Sequence, residues 1–463
     1  LCELLTLPGR HCAIGCGTVG ADGGRGGKGE IEAEAEAEAE AKAKAKEGSI
    51  EHQAGREIQA GQEGCDACAG EEATCRQARG PSPQAYEAVR SSSRDRDYMT
   101  LALRLAAKGR GSTSPNPMVG AVVVAGGRIV GQGAHRKAGG PHAEVIALSQ
   151  AGTRARGGTL YVTLEPCSHL NKRTPPCVPL VIASGVRRVV VAMVDPNPQV
   201  KGNGVAQLTR AGIRVDVGCG ETESRQLNEA YLHWVQTGRP FTTLKAGMTL
   251  DGQIATAGGE SQWITDEAAR QQAHRLRAGV DAILVGIGTV LRDNPQLTAR
   301  VTDDLPRLAP RQPLRIVLDS RLRIPLKAKV LQDQQIAHTL IATTAAASVR
   351  KIERMRGMGI DVLVLPKAGR HVKLPVLWTR LGQLGVTTVL VEGGGEVNAA
   401  VLRAGLPQRL MWYIAPLLLG GQDAKGILGG RSPRRLRSAV ALKNVRIEPV
   451  GRDMLIQADF TTQ

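Results

Sequence analysis

The sequence predicts two consecutive α/β domains behind a low-complexity N-terminal extension. At 463 residues the chain exceeds the usual length of one domain, so two or three are expected. Apolar segments of strand length alternate with helix-forming segments in two successive series, which is typical of α/β folds. The turn-forming segment Thr237-Gly238-Arg239-Pro240 separates the two series. We therefore predict an extension over residues 1–94, one domain over residues 95–237 and another over residues 238–463.

Residues 1–94 differ in composition from the rest of the chain. Glycine is concentrated at Gly20–Gly29, and Glu32–Lys46 alternates alanine first with glutamate and then with lysine. Charge at every second position matches neither a buried strand nor a one-faced helix, so we expect disorder. Cys65 and Cys68 lack the strand-and-helix context that would indicate a metal or redox site.

The overall composition narrows the class of protein. Hydrophobic residues make up 42% of the chain and aromatic residues only 2%, which predicts aliphatic cores. The formal net charge of +17 favours anionic partners, either nucleic acid or phosphorylated metabolites, but a generally basic background explains it equally well. No apolar run is long enough to span a membrane. The cysteine usage and the absence of a secretory signal at Leu1–Leu7 predict a cytoplasmic protein.

The first domain is predicted to open with a helix around Met99–Ala106 that closes at Gly109. The prolines of Ser114–Pro117 exclude helix from the next segment. Strands are predicted at Val119–Val124 and Arg128–Gly133, which form a hairpin around Ala125-Gly126-Gly127, and at Thr159–Thr163, Arg187–Val194 and Ile213–Val217. Further helices are predicted at His142–Ala151, between the Glu165–Pro179 loop and Gly185, at Gly202–Ala211 and at Glu221–Gln236. This order indicates a three-layer α/β sandwich with a largely parallel sheet and a ligand site at its strand ends.

The second domain repeats the alternation. Its predicted strands are Phe241–Ala246, Ala282–Val285, Leu314–Leu318, Thr339–Thr343, Val362–Leu365, Val386–Val391 and Leu410–Ile414, and its predicted helices are Asp266–Ala278, Ser348–Met358, Val376–Leu384 and Glu396–Ala404. Between the sixth strand and the last helix stand Glu392 and three glycines, Gly393–Gly395. The backbone amides of such a turn can hold a pyrophosphate, but a tight turn without a ligand is the simpler interpretation of this motif alone.

The first domain contains a set of metal-binding residue types. His142 stands two residues before Glu144, Cys167 follows Glu165-Pro166, and Cys177 comes after a loop. One imidazole and two thiolates are ligands of catalytic zinc sites, which keep a fourth position for a water of lowered pKa. His-x-Glu followed by Pro-Cys is the order found in zinc nucleobase deaminases, where the glutamate moves protons. Residues two apart on a regular helix point about 200° apart, so we expect His142 at the helix cap.

Further motifs surround these residues. They are Asn116-Pro117-Met118-Val119-Gly120, Gly133-Ala134-His135, Pro166-Cys167-Ser168-His169, Thr174-Pro175-Pro176-Cys177, Asp195-Pro196-Asn197-Pro198, and Gly202 with Gly204. Together they resemble the deaminase half of the bifunctional deaminase/reductase family of riboflavin biosynthesis. The resemblance implies a cytidine-deaminase-like fold, a proton shuttle at Glu144, and zinc ligands His142, Cys167 and Cys177. It also implies contacts of the pyrimidine or its phosphate with Asn116, His135, His169, and Lys172 or Arg173. The family usually has one residue fewer between the two cysteines, which places an insertion within Leu170–Arg173.

Motifs of the second domain are Lys245–Gly252, Gly259–Thr265, Arg277–Ile283, Gly286–Thr289, Asp293–Arg300 and Leu390–Gly395. They resemble the reductase half of the same family, which implies a dihydrofolate-reductase-like fold that uses NADPH. The implied cofactor positions are Gly247, Trp263, Thr289, Asp293, Ser320, Gly394, Gly395, Glu396, Val397 and Asn398, and the implied substrate positions are Ser261, Arg277, Leu297, Arg300 and Glu392. Arg277 and Arg300 suit a ribose phosphate, because a guanidinium fork matches phosphate oxygens, although a solvated basic face is the alternative for each. Gln253 departs from the basic residue that the family usually has after Leu-Asp-Gly.

The resemblance predicts a bifunctional enzyme that acts on a phosphorylated pyrimidine. Zinc-dependent deamination would be followed by NADPH-dependent reduction of the ribosyl chain to ribityl, in a homo-oligomer with no nucleic-acid or membrane partner. A nucleic-acid deaminase is the main alternative, but it needs stacking aromatics, and Tyr161 is the only aromatic residue between Tyr98 and Tyr231. A non-catalytic metal-binding module and a chain with one active half are two further alternatives.

Overall fold

A computed structural model describes residues 92–169, 174–301 and 311–461 of the chain. The predicted disorder before Ser92 lies outside these ranges. So do the expected insertion within residues 170–173 and the two candidate phosphate contacts there, Lys172 and Arg173.

The chain up to Thr237 forms a five-stranded sheet with helices on both faces. Its elements are α1 (Ser93–Ala107), β1 (Gly120–Ala125), β2 (Arg128–Ala134), α2 (Ala143–Ala151), β3 (Thr159–Val162), α3 (Cys177–Ala183), β4 (Arg188–Val191), α4 (Asn203–Arg210), β5 (Arg214–Val217), α5 (Glu221–Leu227) and α6 (Glu229–Thr237). The strand order is β2-β1-β3-β4-β5. Strands β3, β4 and β5 are parallel, but β1 is antiparallel to both β2 and β3. Since β1 is antiparallel to both of its neighbours, β2, β3, β4 and β5 all run in the same direction, as the prediction of a largely parallel sheet requires. The antiparallel pair β1 and β2 is the expected hairpin.

Two aliphatic cores confirm the three-layer arrangement. On one face, α2, α3 and α4 pack on the sheet through residues such as Ala147, Val181 and Leu208. On the other face, α1 packs through Met99 and Ala102. Because strand side chains alternate between faces, the valines of β1 supply both cores.

The helix predicted at Glu221–Gln236 is two helices in the structure. The break is at Asn228, whose backbone (φ −105°, ψ 19°) departs from helical values. Its side chain binds the backbone of Met118 in two hydrogen bonds, of 2.8 Å and 3.0 Å. Periodicity could not reveal this break, since it depends on a contact with a residue 110 positions away.

The second half of the chain forms a nine-stranded sheet. Its elements are β6 (Phe241–Thr249), β7 (Gln253–Ala255), α7 (Glu267–Ala278), β8 (Ala282–Gly286), α8 (Ile287–Asp293), β9 (Leu314–Leu318), β10 (Thr339–Thr343), α9 (Val349–Gly357), β11 (Asp361–Val364), β12 (Lys367–Ala368), β13 (His371–Val372), α10 (Leu374–Gln383), β14 (Thr388–Val391), α11 (Gly395–Arg403), β15 (Arg409–Ala415), β16 (Lys425–Gly426), β17 (Leu442–Val450) and β18 (Asp453–Phe460). The order of the large sheet is β11-β10-β9-β8-β14-β6-β15-β18-β17. All seven predicted strands are present, whereas α8 and the C-terminal pair β17 and β18 were not predicted.

Helices cover both faces of this sheet as well. One core joins α8 and α9 to residues such as Ile283 and Val317. The other joins α10 and α11 to Leu284 and Ile316, around the fully buried Trp378. Within the ranges that the structure describes, none of the helices combines the length and apolar character needed to cross a membrane.

A buried ionic network fastens α1 to the first sheet. The Asp95 carboxylate, 5% exposed, accepts hydrogen bonds from the Tyr161 hydroxyl at 2.7 Å and from the Arg188 guanidinium at 2.8 Å. Asp95 also forms a capping box with Ser92 at the start of α1. The Arg188 guanidinium holds the pKa of Asp95 well below its usual value of 3.8.

We predict that Asp95→Asn lowers the free energy of unfolding by about 2 kcal/mol at neutral pH, because it removes one of the two carboxylates that pair with the largely buried Arg188 guanidinium and leaves only Asp216. A carboxylate whose pKa is depressed by folding stabilises the protein above its unfolded pKa, and this contribution is lost as pH falls through the folded pKa. The difference between wild type and variant should therefore narrow below about pH 4 in urea unfolding. Asp97→Asn, on the exposed side of the same helix, is the control. A difference that stays constant down to pH 2 would contradict the assignment.

Candidate functional site

Three side chains that the sequence singled out as metal ligands meet at two helix N-termini. His142 is the N-cap residue of α2, as expected, and Cys177 is the first residue of α3. Cys167 lies in the loop after β3, and its carbonyl oxygen accepts hydrogen bonds from the backbone N–H groups of Cys177 and Val178, at 3.0 Å and 3.3 Å. The start of α3 is thereby held against this loop, which brings both sulfur atoms next to the imidazole.

The spacing of the three ligand atoms suits a tetrahedral ion. One nitrogen and two sulfur atoms all lie within 4.8 Å of one another. His142 Nδ1 is 3.5 Å from the Cys167 sulfur and 3.2 Å from the Cys177 sulfur. Tetrahedral zinc with ordinary bond lengths would place nitrogen and sulfur about 3.6 Å apart. The donor set therefore fits zinc without rearrangement.

Glu144 stands beside this cluster in the first turn of α2. It is 3% exposed, and within the described part of the chain its Oε2 atom has no hydrogen-bond partner. Burial raises the pKa of Glu144, and the neighbouring Cys167 raises it further. A carboxyl group with an unpartnered oxygen facing a cavity is suited to accept and return a proton.

The loop that carries Cys167 is anchored by the preceding Glu165. The buried carboxylate of Glu165 accepts backbone N–H hydrogen bonds from Asp195, Gly202, Gly204 and Val205, at distances of 2.8–3.1 Å. Gly204 must lack a side chain, because a Cβ there would lie 2.1 Å from the carbonyl oxygen of Pro166. Gly204 thereby lets the start of α4 approach the loop, and Gly202, the N-cap residue of α4, adopts a left-handed backbone with φ 81°.

A cavity of about 520 Å³ lies in front of the cluster. Its wall includes all three residues of this domain that the resemblance assigned to the substrate within the described ranges, Asn116, His135 and His169. The amide nitrogen of Asn116 is 3.2 Å from His135 Nε2, and His135 Nδ1 is 3.0 Å from the Pro141 carbonyl oxygen. His135 Nδ1 therefore donates to the carbonyl and Nε2 accepts from Asn116. Burial lowers the pKa of His135, in agreement with this neutral tautomer.

The sequence assigned no role to three other residues of this wall, although Asp195 belongs to one of the matched motifs. Asp195 accepts a 3.0 Å hydrogen bond from the Tyr231 hydroxyl, and burial raises the pKa of Asp195 to about 6. Tyr231 and Trp234 belong to α6 and bring two aromatic rings to the cavity. Neither residue lies within the interval between Tyr98 and Tyr231, in which Tyr161 is the only aromatic residue. Tyr161 is 4% exposed and its hydroxyl binds Asp95, so it offers no stacking surface.

In the second domain, most of the expected cofactor positions lie at one edge of the large sheet. Strands β6, β14, β8 and β9 are consecutive and parallel, so their carboxyl ends share an edge. These strands or the segments that directly follow them contain Gly247, Thr289, Asp293, Ser320 and the run Gly394–Asn398. Ser261 and Trp263 belong to the segment between β7 and α7, where the Trp263 ring is 66% exposed. Ligands of α/β sheets bind at such carboxyl edges.

The glycine turn after β14 leaves its backbone accessible. Gly394 is the N-cap of the nine-residue helix α11, and a Cβ on Gly394 would meet open space. A Cβ on Gly395 would instead lie 2.5 Å from the Gly426 carbonyl oxygen, so only glycine fits there. The combination of a helix N-terminus with side-chain-free backbone fits a phosphate group of a dinucleotide.

Glu392, at the end of β14, is the centre of a charged cluster. Its carboxylate accepts two hydrogen bonds from the Arg277 guanidinium, at 2.5 Å and 3.1 Å. Burial acts to raise the pKa of Glu392, but the charges of Arg277 and Lys245 lower it to about 2. Lys245 was not among the expected site residues, although a lysine within an apolar strand is a visible signal. Burial lowers its pKa, and its ammonium lies 5.5 Å from the centre of the Tyr413 ring.

The two arginines expected at the phosphate have different surroundings. The guanidinium of Arg277 donates hydrogen bonds to the Glu392 carboxylate and, at 3.3 Å, to the Thr298 carbonyl oxygen. Arg300 is exposed, and its guanidinium lies 3.3 Å from His274 Nε2. Burial and the two arginines lower the pKa of His274 to about 4. Arg300 can therefore bind an anionic group without breaking an ion pair, whereas Arg277 would have to release Glu392.

Comparison with known proteins agrees with this two-part architecture. Residues 92–193 match the cytidine and deoxycytidylate deaminase zinc-binding region, and residues 240–456 match the RibD C-terminal domain. The riboflavin biosynthesis protein RibD of Aquifex aeolicus is 45% identical over 362 residues, which cover 78% of this chain and 97% of the relative. The Escherichia coli RibD is also 45% identical, with 78% and 98% covered.

Solved structures give the same result. Acinetobacter baumannii RibD superposes with a TM-score of 0.73 at 37% identity, covering 80% of this chain and 99% of that chain. A deaminase/reductase from Thermotoga maritima superposes with a TM-score of 0.68 at 33% identity, with the same coverage. Fold and site thus define a bifunctional enzyme that joins a cytidine-deaminase-like half to a dihydrofolate-reductase-like half. More specifically, the chain belongs to the RibD family of riboflavin biosynthesis proteins, as the sequence motifs predicted.

We predict that Glu392→Gln lowers the free energy of unfolding by about 3 kcal/mol, because it leaves the buried charges of Arg277 and Lys245 facing each other without a carboxylate. Urea unfolding measures the change. Glu353→Gln, on the exposed side of α9, is the matched control and should shift the free energy by less than about 0.5 kcal/mol. Equal stability of the two variants would show that Glu392 does not hold the cluster together.

Proposed function

We propose that the chain catalyses two successive reactions of riboflavin biosynthesis. Residues 95–237 would deaminate 2,5-diamino-6-ribosylamino-4(3H)-pyrimidinone 5′-phosphate, and residues 238–463 would reduce the ribosyl side chain to ribityl with NADPH. The observation that carries the proposal is the cluster of His142, Cys167 and Cys177 beside the buried Glu144. The Thermotoga maritima relative is described as a diaminohydroxyphosphoribosylaminopyrimidine deaminase and 5-amino-6-(5-phosphoribosylamino)uracil reductase, which supports the choice of substrate.

His142, Cys167 and Cys177 are the residues that would hold zinc. A zinc ion in such a site supplies a nucleophilic water at neutral pH. The helix N-terminus at Cys177 favours its thiolate form, because the partial positive charge of α3 lies next to the sulfur.

Glu144 would move the protons of the deamination. Its carboxylate would take one proton from the attacking water and pass it to the ring nitrogen, and would then carry a second proton, from the hydroxyl that this water has become, to the leaving amine. Asn116, His135 and His169 line the cavity and would orient the pyrimidine. Asp195 adds a further polar group that the pyrimidine can contact.

In the second half, NADPH would supply the hydride, and the protein would bind and orient both partners. The turn Gly394–Asn398, together with Gly247, Trp263, Thr289, Asp293 and Ser320, would hold the cofactor. Arg300 would bind the ribose phosphate, with Ser261 and Leu297 lining the substrate. Arg277 would hold Glu392 in its ionised form, as their two hydrogen bonds support.

The remaining expectations concern partners. The exposed apolar side chains of the C-terminal region support the expected homo-oligomer. Leu418 is 73%, Leu436 91%, Val445 56% and Ile447 65% exposed, and exposed apolar patches commonly mark protein interfaces. A nucleic-acid substrate is disfavoured, since neither aromatic ring of the cavity is an open stacking platform. Tyr231 is 9% exposed with its hydroxyl on Asp195, and the half-buried Trp234 packs against a hydrophobic cluster and donates to the Gly382 carbonyl oxygen. The cytoplasmic location stays a prediction from the sequence.

We predict that Glu144→Gln abolishes ammonia release from the phosphorylated diaminopyrimidine, with a loss of at least about 10²-fold in kcat, because the amide cannot accept the proton. Zinc content, measured by atomic emission, should equal that of wild type, since Glu144 is not a ligand in the proposal. Oxidation of NADPH should also be unchanged when the deaminated intermediate is supplied directly.

Cys177→Ser is the companion variant, which should lose both zinc and ammonia release while retaining NADPH oxidation. Ammonia release at the wild-type rate by Glu144→Gln would remove this residue from the reaction. Unchanged zinc content in Cys177→Ser would remove this cysteine from the metal site.

A further inference from the structure

The loop of residues 114–118 carries Asn116, and side chains from elsewhere in the chain hold both of its ends. At one end the Ser114 hydroxyl donates a 2.6 Å hydrogen bond to the Asp281 carboxylate. At the other, Asn228 accepts from the Met118 backbone N–H at 2.8 Å and donates to the Met118 carbonyl oxygen at 3.0 Å.

The anchor at Ser114 belongs to the second domain. Asp281 directly precedes β8 and is 6% exposed. The oxygen that binds Ser114 also accepts hydrogen bonds from the Thr387 backbone N–H at 2.8 Å and the Thr387 hydroxyl at 2.7 Å. The carboxylate is thereby fixed to the start of β14, in the middle of the large sheet. A short hydrogen bond from a hydroxyl to a fixed carboxylate is among the stronger contacts available between two domains.

The anchor at Met118 is also tied to the second domain. Asn228 is followed by Glu229, whose carboxylate binds the Arg409 guanidinium in two parallel hydrogen bonds. Arg409 is the first residue of β15, and it also donates to Asp459 at 3.0 Å. At the break between α5 and α6, Asn228 therefore contacts the loop and the next residue, Glu229, contacts the second sheet.

The middle of this loop is half-buried and borders two cavities. Pro115, Asn116 and Pro117 line the deaminase cavity and also a second cavity, of about 900 Å³, between the two domains. Because these residues border open space, the hydrogen bonds at the two ends of the loop contribute to its position. Asn116 is in turn the hydrogen-bond partner of His135, whose other ring nitrogen binds the residue before His142.

We propose that the second domain positions the substrate loop of the deaminase half, with Asp281 and Arg409 as positioning residues for deamination. The inference rests on the proposed function, in which Asn116 contacts the pyrimidine. The fusion of the two domains then contributes to the first reaction directly, because the reductase sheet supplies the fixed points from which Asn116 is held. Without an anchor, substrate binding must order the loop, and that cost appears as weaker binding.

Ser114→Ala tests the inference, since it removes the hydrogen bond from the loop to Asp281 and leaves the bonds of Asp281 to Thr387 in place. We expect kcat/KM for ammonia release to fall about tenfold, with most of the change in KM. Zinc content and NADPH oxidation with the deaminated intermediate should stay at wild-type values. Ser112→Ala, which removes a hydroxyl two residues earlier in the same segment, is the matched control and should behave as wild type.

A double-mutant cycle with Asp281→Asn separates positioning from folding. If the two residues act through one bond, the double variant should lose no more deaminase activity than the worse single variant. Glu229→Gln tests the other end and should also raise KM for ammonia release alone. Wild-type kcat/KM in Ser114→Ala, or an equal loss of both activities, would overturn the inference. If the wild-type enzyme itself releases no ammonia, the proposed function fails first, and the inference falls with it.

Discussion

The deaminase half depends on bringing two thiols and an imidazole from three separate places in the chain to within 4.8 Å of one another. Two helices begin next to each other there, one with His142 as its N-cap residue and the other with Cys177 as its first residue. The loop that carries Cys167 is held by Glu165, whose buried carboxylate binds four backbone N–H groups, two of them in the first turn of α4. The geometry of the centre therefore follows from where the helices begin.

The nine-stranded sheet contacts the deaminase half at one edge and carries the expected cofactor site at the opposite edge. Its amino edge meets the deaminase half, through Asp281 before β8 and Arg409 at the start of β15. Its carboxyl edge carries the glycine turn, Glu392 and the helix after β8, where a cofactor is expected. The amino ends of parallel strands lie at one edge of a sheet and their carboxyl ends at the other. The same sheet can therefore contact the deaminase half at its amino edge and form the expected cofactor site at its carboxyl edge.

The sequence predicted this architecture well where local patterns decide it. The alternation of strands and helices yielded every strand from β6 to β15 that belongs to the central sheet, and His-x-Glu with two cysteines yielded the cluster that the structure assembles. It failed where long-range contacts decide. The break at Asn228 depends on Met118, and the exposed β17 alternates too little to be recognised. Lys245, Asp195 and His274 acquire their significance through neighbours distant in sequence, as the 3.3 Å contact between His274 Nε2 and the Arg300 guanidinium illustrates.

The central claim is that one chain performs both reactions in a fixed order on one substrate. The most direct test follows ammonia and NADPH simultaneously in the wild-type enzyme, starting from the phosphorylated diaminopyrimidine alone. We expect ammonia to appear first, NADPH oxidation to follow after a lag, and the final amounts of ammonia and oxidised NADPH to be equal. Oxidation of NADPH without prior ammonia release, or ammonia release that is never followed by oxidation, would contradict it.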